Sequence, residues 1–272
     1  MLKKIILLSI TASISHGAHA GLFDSNDFKC GRADSITALS DYIKNDASGL
    51  LQSNFITSGK KSFSKPMDIY QNKLNTLGLV ISDVSTLDSQ GGGKQNCSAT
   101  VSIKLPQETI DLISEVPQKL SLLTGSNGKL NNGSVTWSDI RYSIKLADNK
   151  KDILVSGLSG TNSSSSLYNI ALMAVDKDNI INNNSQGKLN SVQYEYAESD
   201  RELNDVWKNL PDSARNAMKK EQIAWVSEKV TKCGKLSDTK LGLVSIQQKI
   251  NILQCQTTLT NERISYLGGN NY

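Results

Sequence analysis

Histidine is nearly absent from this chain of 272 residues. It occurs only at His16 and His19, both near the N-terminus. Ser-His-Asp and Cys-His nucleophile systems need a histidine base, and many zinc sites need a histidine ligand. The chain also lacks the glycine-rich motifs that cradle phosphates or dinucleotides. These absences favour a protein that binds over an enzyme, with no cofactor and no metal.

Paired carboxylates are the alternative that the absence of histidine leaves open, because glycoside hydrolysis needs only two of them. The candidates Glu195, Glu198, Asp200 and Glu202 stand at a predicted helix start. A helix N-terminus favours negative charge whether or not any chemistry takes place there. We therefore interpret these residues as a solvated helix terminus and expect no catalytic residue.

The sequence has no apolar run long enough to span a membrane as a stable helix. Residues 5–14 are mostly apolar, follow Lys3-Lys4 and precede the small-residue site Ala18-His19-Ala20. This is the three-part pattern of a cleavable secretory signal. It predicts that residues 1–20 are removed, that the protein is periplasmic or secreted, and that the mature chain does not insert into a membrane. The alternative is a short buried helix in a cytosolic protein.

All four cysteines follow the predicted signal, and both histidines lie inside it. Cys30, Cys97, Cys233 and Cys255 form an even set that predicts disulfides in an oxidising compartment. Three connectivities are open. We prefer Cys30–Cys97 with Cys233–Cys255, because each pair then lies within one predicted domain. Four free thiols, or a four-cysteine zinc site, are the alternatives, but the spacing lacks Cys-x-x-Cys pairs.

Charge of one sign is not concentrated anywhere in the chain. Lysines and arginines number 30 and acidic residues 26, and the two kinds are interspersed. Nucleic-acid binders carry a basic stripe or patch. We therefore expect no nucleic-acid partner.

The first half of the chain predicts a helix followed by antiparallel strands. Asp34 is a candidate cap for a helix with Ile36, Leu39, Ile43, Ala47 and Leu50 at helical spacing. Strict alternation of apolar and polar residues, or β-branched apolar runs, predicts strands over residues 77–84, 97–105, 140–146 and 153–158. The residues at 110–116 favour a short helix before Pro117. The pattern predicts a small α+β domain, similar in layout to cystatin-like and NTF2-like domains.

The middle of the chain is more polar. Residues 163–166 are four serines and predict a loop, followed by a helix over residues 167–175. The run at residues 182–187 is rich in asparagine and predicts part of a domain boundary. We divide the chain into a signal at residues 1–20, an α+β domain at residues 21–181, a linker at residues 182–196 and a helical domain at residues 197–272.

Helical periodicity dominates the last part. Three helices are predicted, carrying Leu203 and Trp207, then Trp225 and Cys233, then Cys255. The second and third form an antiparallel hairpin if Cys233 bonds to Cys255. Trp207 and Trp225 lie on apolar stripes, so we expect them in the core rather than in a binding site. Trp137 precedes a strand, and its pattern leaves its exposure open.

Residues from about 197 to 267 resemble the LprI-like lysozyme inhibitor family. The resemblance rests on Asp200-Arg201-Glu202-Leu203-Asn204 with Trp207, on Gln222-x-Ala224-Trp225, and on Cys233 eight residues after Trp225. Cys255, the run Leu259-Thr260-Asn261-Glu262-Arg263 and Leu267 close it. Lys229-Val230 stand where the family has Arg-Asp, and the segment between the cysteines is short.

The resemblance implies a periplasmic protein that binds lysozyme and protects peptidoglycan. The connection after Cys233 then supplies the candidate partner-binding residues Lys235, Ser237, Asp238 and Lys240. Its two lysines can face an acidic pair in a lysozyme cleft, or they can simply favour the helix ends. A non-catalytic cell-envelope interaction module with partners other than lysozyme is the alternative function.

Overall fold

The computed structural model describes residues 28–58, 63–90, 93–240, 242 and 244–269. The predicted signal at residues 1–20 lies outside the described residues. None of the described helices is long and apolar enough to cross a membrane. In chain order the described elements are α1 (Ala33–Ser58), α2 (Met67–Thr76), β1 (Leu79–Gln90), β2 (Lys94–Lys104), α3 (Gln107–Glu115), α4 (Leu120–Thr124), β3 (Lys129–Asn131), β4 (Ser134–Leu146), β5 (Ile153–Ser159), α5 (Ser163–Val175), α6 (Lys177–Asn209), α7 (Asp212–Cys233) and α8 (Ile246–Tyr266).

Helix α1 buries an apolar stripe at four-residue spacing. Leu39, Ile43, Ala47 and Leu51 are fully buried, whereas Leu50, which the sequence placed on this face, is half-buried. Asp34 lies inside the first turn, where its carboxylate accepts the Ser35 N–H at 2.9 Å. The predicted N-terminal helix is therefore confirmed, with a start one residue before its expected cap.

The sheet is antiparallel throughout and has five strands in the described residues. The strand order is β1-β2-β4-β3, and β5 also pairs with β4. Alternating Cys97, Ala99, Val101 and Ile103 of β2 are buried, as their period of two predicted. The α+β fold class is confirmed, and the short β3 is added to the expected strands.

The main core lies between this sheet and helices α1, α2 and α5. Residues 163–166, predicted as a polar loop, form the first turn of α5, so that prediction is wrong. Ser163 and Ser166 are fully buried, and the Ser166 hydroxyl donates to the carbonyl oxygen of Leu123. A short hydroxyl side chain that finds a carbonyl partner, as that of Ser166 does, can be buried in a helix at little cost. The buried Ser163 hydroxyl has no hydrogen-bond partner among the described residues.

Both preferred disulfides are present. Cys30 bonds to Cys97, with Cα atoms 5.8 Å apart, and thereby joins the segment before α1 to β2. Cys233 bonds to Cys255, with Cα atoms 5.5 Å apart, and joins the end of α7 to α8. All four cysteines are therefore oxidised.

The C-terminal region is an up-down-up arrangement of three helices. Leu189 of α6 packs with Ile250 at one end, and Leu203 packs with Ile264 at the other, so α6 and α8 run in the same direction. Helix α7 runs against both, since Cys233 meets Cys255 while Arg263 reaches back to Gln222. The predicted antiparallel hairpin of α7 and α8 is confirmed.

The stretch predicted as a linker, residues 182–196, is helical and lies inside the 33-residue α6. Leu189 and Val192 are buried there and pack with Ile250 and Leu253 of α8. Asparagine and glycine disfavour a helix locally, but packing an apolar stripe against another helix outweighs this propensity. The boundary between the two domains stays a prediction.

Candidate functional site

A cleft of about 460 Å³ opens between α6 and α7. Its α6 wall uses residues spaced by three or four, which share one face of a helix: Tyr196, Asp200, Leu203, Asn204 and Trp207. Its α7 wall follows the same rule: Gln222, Trp225, Val226, Lys229 and Val230. Gln256 of α8 and the connection after Cys233 complete the cleft.

Lys229 is the most unusual side chain of this cleft. It is 6% exposed, and of the residues of α7, all of which are described, it alone is buried. Its Nζ donates to Thr260 Oγ1 at 3.0 Å and lies 5.3 Å from the centroid of the Tyr196 ring. Burial lowers the pKa of Lys229, and the charge of Asp200 partly offsets this. Within the described part of the chain, no carboxylate forms an ion pair with it.

Asp200 is held by neighbours on its own helix. The Tyr196 hydroxyl donates to its carboxylate at 3.2 Å, and the Asn204 side-chain amide donates to it at 3.3 Å. Burial, followed by the charge of Asp200, raises the pKa of Tyr196 well above its ordinary value. Tyr196 therefore stays a neutral hydrogen-bond donor, and Asp200 stays fixed on the α6 wall.

Trp225 is held from the side of α8 by a second buried cation. Arg263 is 6% exposed, and its guanidinium carbon lies 5.7 Å from the centroid of the Trp225 ring. Its Nε donates to Gln222 Oε1 at 2.8 Å and its Nη1 to Glu221 Oε1 at 2.6 Å. Trp225 thus has both Lys229 and Arg263 as cation–π partners.

The tryptophan predictions have mixed outcomes. Trp207 and Trp225 pack against the cluster of Leu203, Ile264 and Leu267, as expected, yet both stay partly exposed and line the cleft. Trp137 is fully buried inside β4, where its indole N–H donates to Asn162 Oδ1 at 2.8 Å. Trp137 is therefore a core residue and offers no surface.

The four predicted partner-binding residues follow Cys233. Lys235 and Ser237 lie on the rim of the cleft, whereas Asp238 and Lys240 belong to a 3₁₀ turn, Leu236–Lys240, and do not line it. Lys235, Ser237 and Lys240 are exposed. Their role in binding a partner stays a prediction.

The acidic residues expected at a helix start lie in the middle of α6 instead. Glu198 is paired with Arg201, and Asp200 forms part of the cleft wall. The helix begins earlier than expected, because residues 182–196 are helical. The interpretation of these residues as a helix N-terminus is therefore wrong.

Tyr196, Val226 and Gln256 line the cleft but were not singled out from the sequence. Lys229 was noted only as a departure from the family pattern, and its burial was not predicted. Tyr196 stands four residues before Asp200 and seven before Leu203, so helical spacing alone could have placed it on this wall. Gln256 follows Cys255 directly and is fully buried. No local pattern marks the burial of Lys229 or Gln256, which depends on contacts between helices.

Comparison with known proteins adds one finding for this region. Residues 181–267 match the model of the family described as lysozyme inhibitor LprI. No curated protein and no solved structure matches the chain. The C-terminal region, which contains every residue that lines the cleft, is therefore similar to the LprI lysozyme inhibitor family.

Proposed function

We propose that this protein is an exported inhibitor that binds lysozyme directly and protects peptidoglycan in the periplasm. One observation carries the proposal. Asp200, Asn204, Trp207, Gln222 and Trp225, which carry the resemblance to the inhibitor family, converge on one cleft within the matched region. Residues far apart in sequence that meet at a surface opening favour a shared binding role over independent structural roles.

The disulfide after α7 supports inhibition through a rigid contact. Cys233–Cys255 closes the short connection that carries Lys235 and Lys240 and fixes it against α8. Holding a loop in place before binding lowers the entropy lost on association. Lysozyme cleaves its substrate with a pair of carboxyl groups, so two exposed cations on a fixed connection suit its catalytic cleft. Ser237 and Asp238 shape the turn between them.

The charge of α6 supports approach to a basic enzyme. Many lysozymes are strongly basic, and complementary charge speeds association. The chain as a whole is slightly basic, but the middle of α6 carries Glu195, Glu198, Asp200, Glu202 and Asp205 against the single cation Arg201. Inhibition that depends on this acidic segment should weaken as salt concentration rises, because salt screens its attraction to a basic lysozyme.

The disulfides and the N-terminal signal pattern support the proposed location in the periplasm. Disulfides persist in oxidising compartments such as the periplasm, and two are formed here. The predicted signal at residues 1–20 supplies the route. Mass spectrometry of the protein purified from its native host would find a chain beginning at Gly21; an uncleaved chain in the cytoplasm would contradict export.

The deciding experiment is a lysozyme assay on peptidoglycan with the purified, oxidised protein. We expect inhibition at micromolar concentration, with a one-to-one complex by analytical ultracentrifugation. Replacing both Lys235 and Lys240 with glutamine should weaken inhibition, while the same change at Lys104 and Lys145, exposed on the sheet, should not. A protein that leaves lysozyme fully active at micromolar concentration overturns the proposal and favours the alternative of another cell-envelope partner.

The disulfide contribution is tested separately with a Cys233→Ser/Cys255→Ser variant. Weaker inhibition is expected, because the connection then loses its fixed position. Inhibition equal to that of the unaltered protein would remove the role of the disulfide while leaving lysozyme binding itself in place.

A further inference from the structure

Lys229 is a buried cation that no carboxylate of the described residues contacts directly. Its charge is stabilised by the Thr260 hydroxyl at 3.0 Å and by the rings of Tyr196 and Trp225. A charge removed from water is costly unless it is paired and hydrogen-bonded. Asp200 acts on it electrostatically without forming an ion pair, and it is already held by Tyr196 and Asn204. Within the described ranges, the cleft therefore supplies no contact counter-ion for Lys229.

Gln256 supplies a second, independent sign of a binding site. Its side chain is fully buried and lines the same cleft. Its Nε2 donates to the carbonyl oxygen of Gly234 at 2.7 Å, but its Oε1 has no hydrogen-bond partner among the described residues. A buried acceptor without a donor is unfavourable. Among the described residues, the cleft is thus lined by a cation without a contact carboxylate and by an acceptor without a donor.

The remaining walls favour an amphipathic occupant. Leu203, Trp207, Val226 and Leu236 provide apolar surface around these polar groups. The volume of about 460 Å³ lies within the range of roughly 300–1,000 Å³ typical of ligand sites, which are mostly apolar with a few placed polar groups. An acidic side chain on a polypeptide combines an aliphatic stem, a carboxylate and backbone N–H donors.

We propose that the cleft between α6 and α7 binds an acidic side chain of a protein partner, whose carboxylate pairs with Lys229 and whose backbone N–H donates to Gln256. The occupant follows from charge complementarity with a buried cation. This inference rests on the proposed function in taking lysozyme as the partner, yet the site itself can be tested without lysozyme. The inference also adds a second contact with the partner: the partner inserts a side chain into the cleft and faces the connection after Cys233.

The probe is a matched pair of small molecules, N-acetyl-glutamate N′-methylamide and N-acetyl-glutamine N′-methylamide. They have nearly the same shape and differ in the charge of the side chain. Each is titrated into the full oxidised protein while the indole N–H signals of Trp207 and Trp225 are followed by NMR. The buried Trp137 signal serves as an internal reference. We expect the glutamate probe to bind in the millimolar range and at least about fivefold more tightly than the glutamine probe.

Variants test whether Lys229 causes the preference for the glutamate probe over the glutamine probe. Lys229→Met should abolish the difference between the probes, and Lys229→Arg should keep it. Lys232→Met is the matched control, because Lys232 lies on the same helix, is exposed and pairs with Glu228; it should retain the difference. Because Trp137 lies in the sheet, the fold of each variant is checked on the Trp207 and Trp225 signals without probe, which should stay dispersed as in the unaltered protein.

Two results would overturn this inference: no saturable shift with the glutamate probe, or equal binding of both probes by the unaltered protein. Binding of the glutamate probe without inhibition of lysozyme would instead uphold the site and contradict lysozyme as the partner. The two proposals therefore fail separately.

Discussion

Lys229 places its ammonium nitrogen 5.0 Å from the centroid of the Trp225 ring, one turn earlier on the same helix. Because Lys229 is the one buried residue of α7, a cation occupies the place where a packed helix usually carries apolar side chains. Helix α7 contacts its neighbours through this lysine, through Arg263 and one disulfide, and through the partly buried Met218 and Trp225. Charged side chains therefore form part of the contact between α7 and α8, next to the cleft.

Replacing Lys229 with methionine tests whether this cation serves stability. Methionine keeps the length of the aliphatic stem and removes the buried charge. We expect the free energy of unfolding at neutral pH to stay the same or to rise by about 1–2 kcal/mol, as when buried charges elsewhere are replaced by packed apolar groups. Urea denaturation measures this. A loss of several kcal/mol would show that Lys229 is a structural support rather than a residue kept for binding.

The difference in unfolding free energy between the unaltered protein and Lys229→Met should change with pH in one direction. Burial lowers the pKa of Lys229 in the folded protein below its ordinary value of 10.5, while the unfolded chain keeps that value. Between these two pKa values the unfolded state binds more protons, so the stability contributed by this site rises with pH. The raised pKa of Tyr196 acts in the opposite direction above about pH 10, but it is present in both proteins and cancels to first order.

The measurement is the difference in unfolding free energy between the unaltered protein and Lys229→Met at several pH values. As pH rises through the lowered pKa of Lys229 toward 10.5, the free energy of unfolding of the unaltered protein should rise relative to that of the variant. A difference that stays constant over this range would contradict the burial of a charged Lys229.

The two disulfides should differ in which part of the molecule they stabilise. Their sequence separations are 67 residues for Cys30–Cys97 and 22 for Cys233–Cys255. Constraint of the unfolded chain then gives about 4 and about 3 kcal/mol, respectively. Because the helical region has only small buried clusters, removal of Cys233–Cys255 should open α7 while leaving the sheet folded. Hydrogen exchange by mass spectrometry distinguishes this from uniform destabilisation.

Local sequence patterns were sufficient for much of the fold. The alternation around Val101 predicted β2 because one face of a strand is buried, and the preferred cysteine pairing followed from placing each pair in one domain. The resemblance at Trp225 and Cys233 located the region of the site. Each of these predictions depends on neighbours in sequence or on a known family pattern.

The cleft itself could not be predicted, because its features arise between helices. Lys229 meets Thr260 31 residues later, and its burial follows from that contact rather than from its neighbours in sequence. Leu189 stabilises the helix through the predicted linker by packing on Ile250. Trp137 is buried in the main core, and its indole N–H donates to Asn162, which follows β5 in the sequence. Such contacts outweigh local composition.

Two buried tyrosines give opposite predictions for the loss of a hydroxyl. The Tyr70 hydroxyl donates to Asp176 and accepts the N–H groups of Ser64 and Lys65. Tyr70→Phe removes one donor from the buried Asp176 carboxylate, to which the Ser64 hydroxyl still donates, and should cost about 1–3 kcal/mol. The Tyr142 hydroxyl has no hydrogen-bond partner among the described residues, and burial raises its pKa to about 12. Tyr142→Phe should be neutral or slightly stabilising in urea denaturation; equal losses in both variants would contradict these contacts.

Gly187 provides a test of the helix through residues 182–196. It lies inside α6, and a Cβ atom built there meets no atom within 4 Å. Gly49 in α1 has the same two properties and serves as the matched control. Since alanine loses less conformational freedom than glycine on entering a helix, each Gly→Ala change should stabilise by about 0.5–1 kcal/mol.

Gly187→Pro sharpens the same test. Proline inside a helix removes a hydrogen bond and clashes with the preceding turn, at a cost of about 3 kcal/mol or more. That loss should appear as faster hydrogen exchange around Leu189 and Ile250, because their packing requires an unbroken α6. If both Gly187 variants leave stability and exchange unchanged while Gly49→Ala stabilises, the segment acts as a flexible linker. The helical region would then begin near the cleft, and Leu189 would contribute nothing to holding α8 in place.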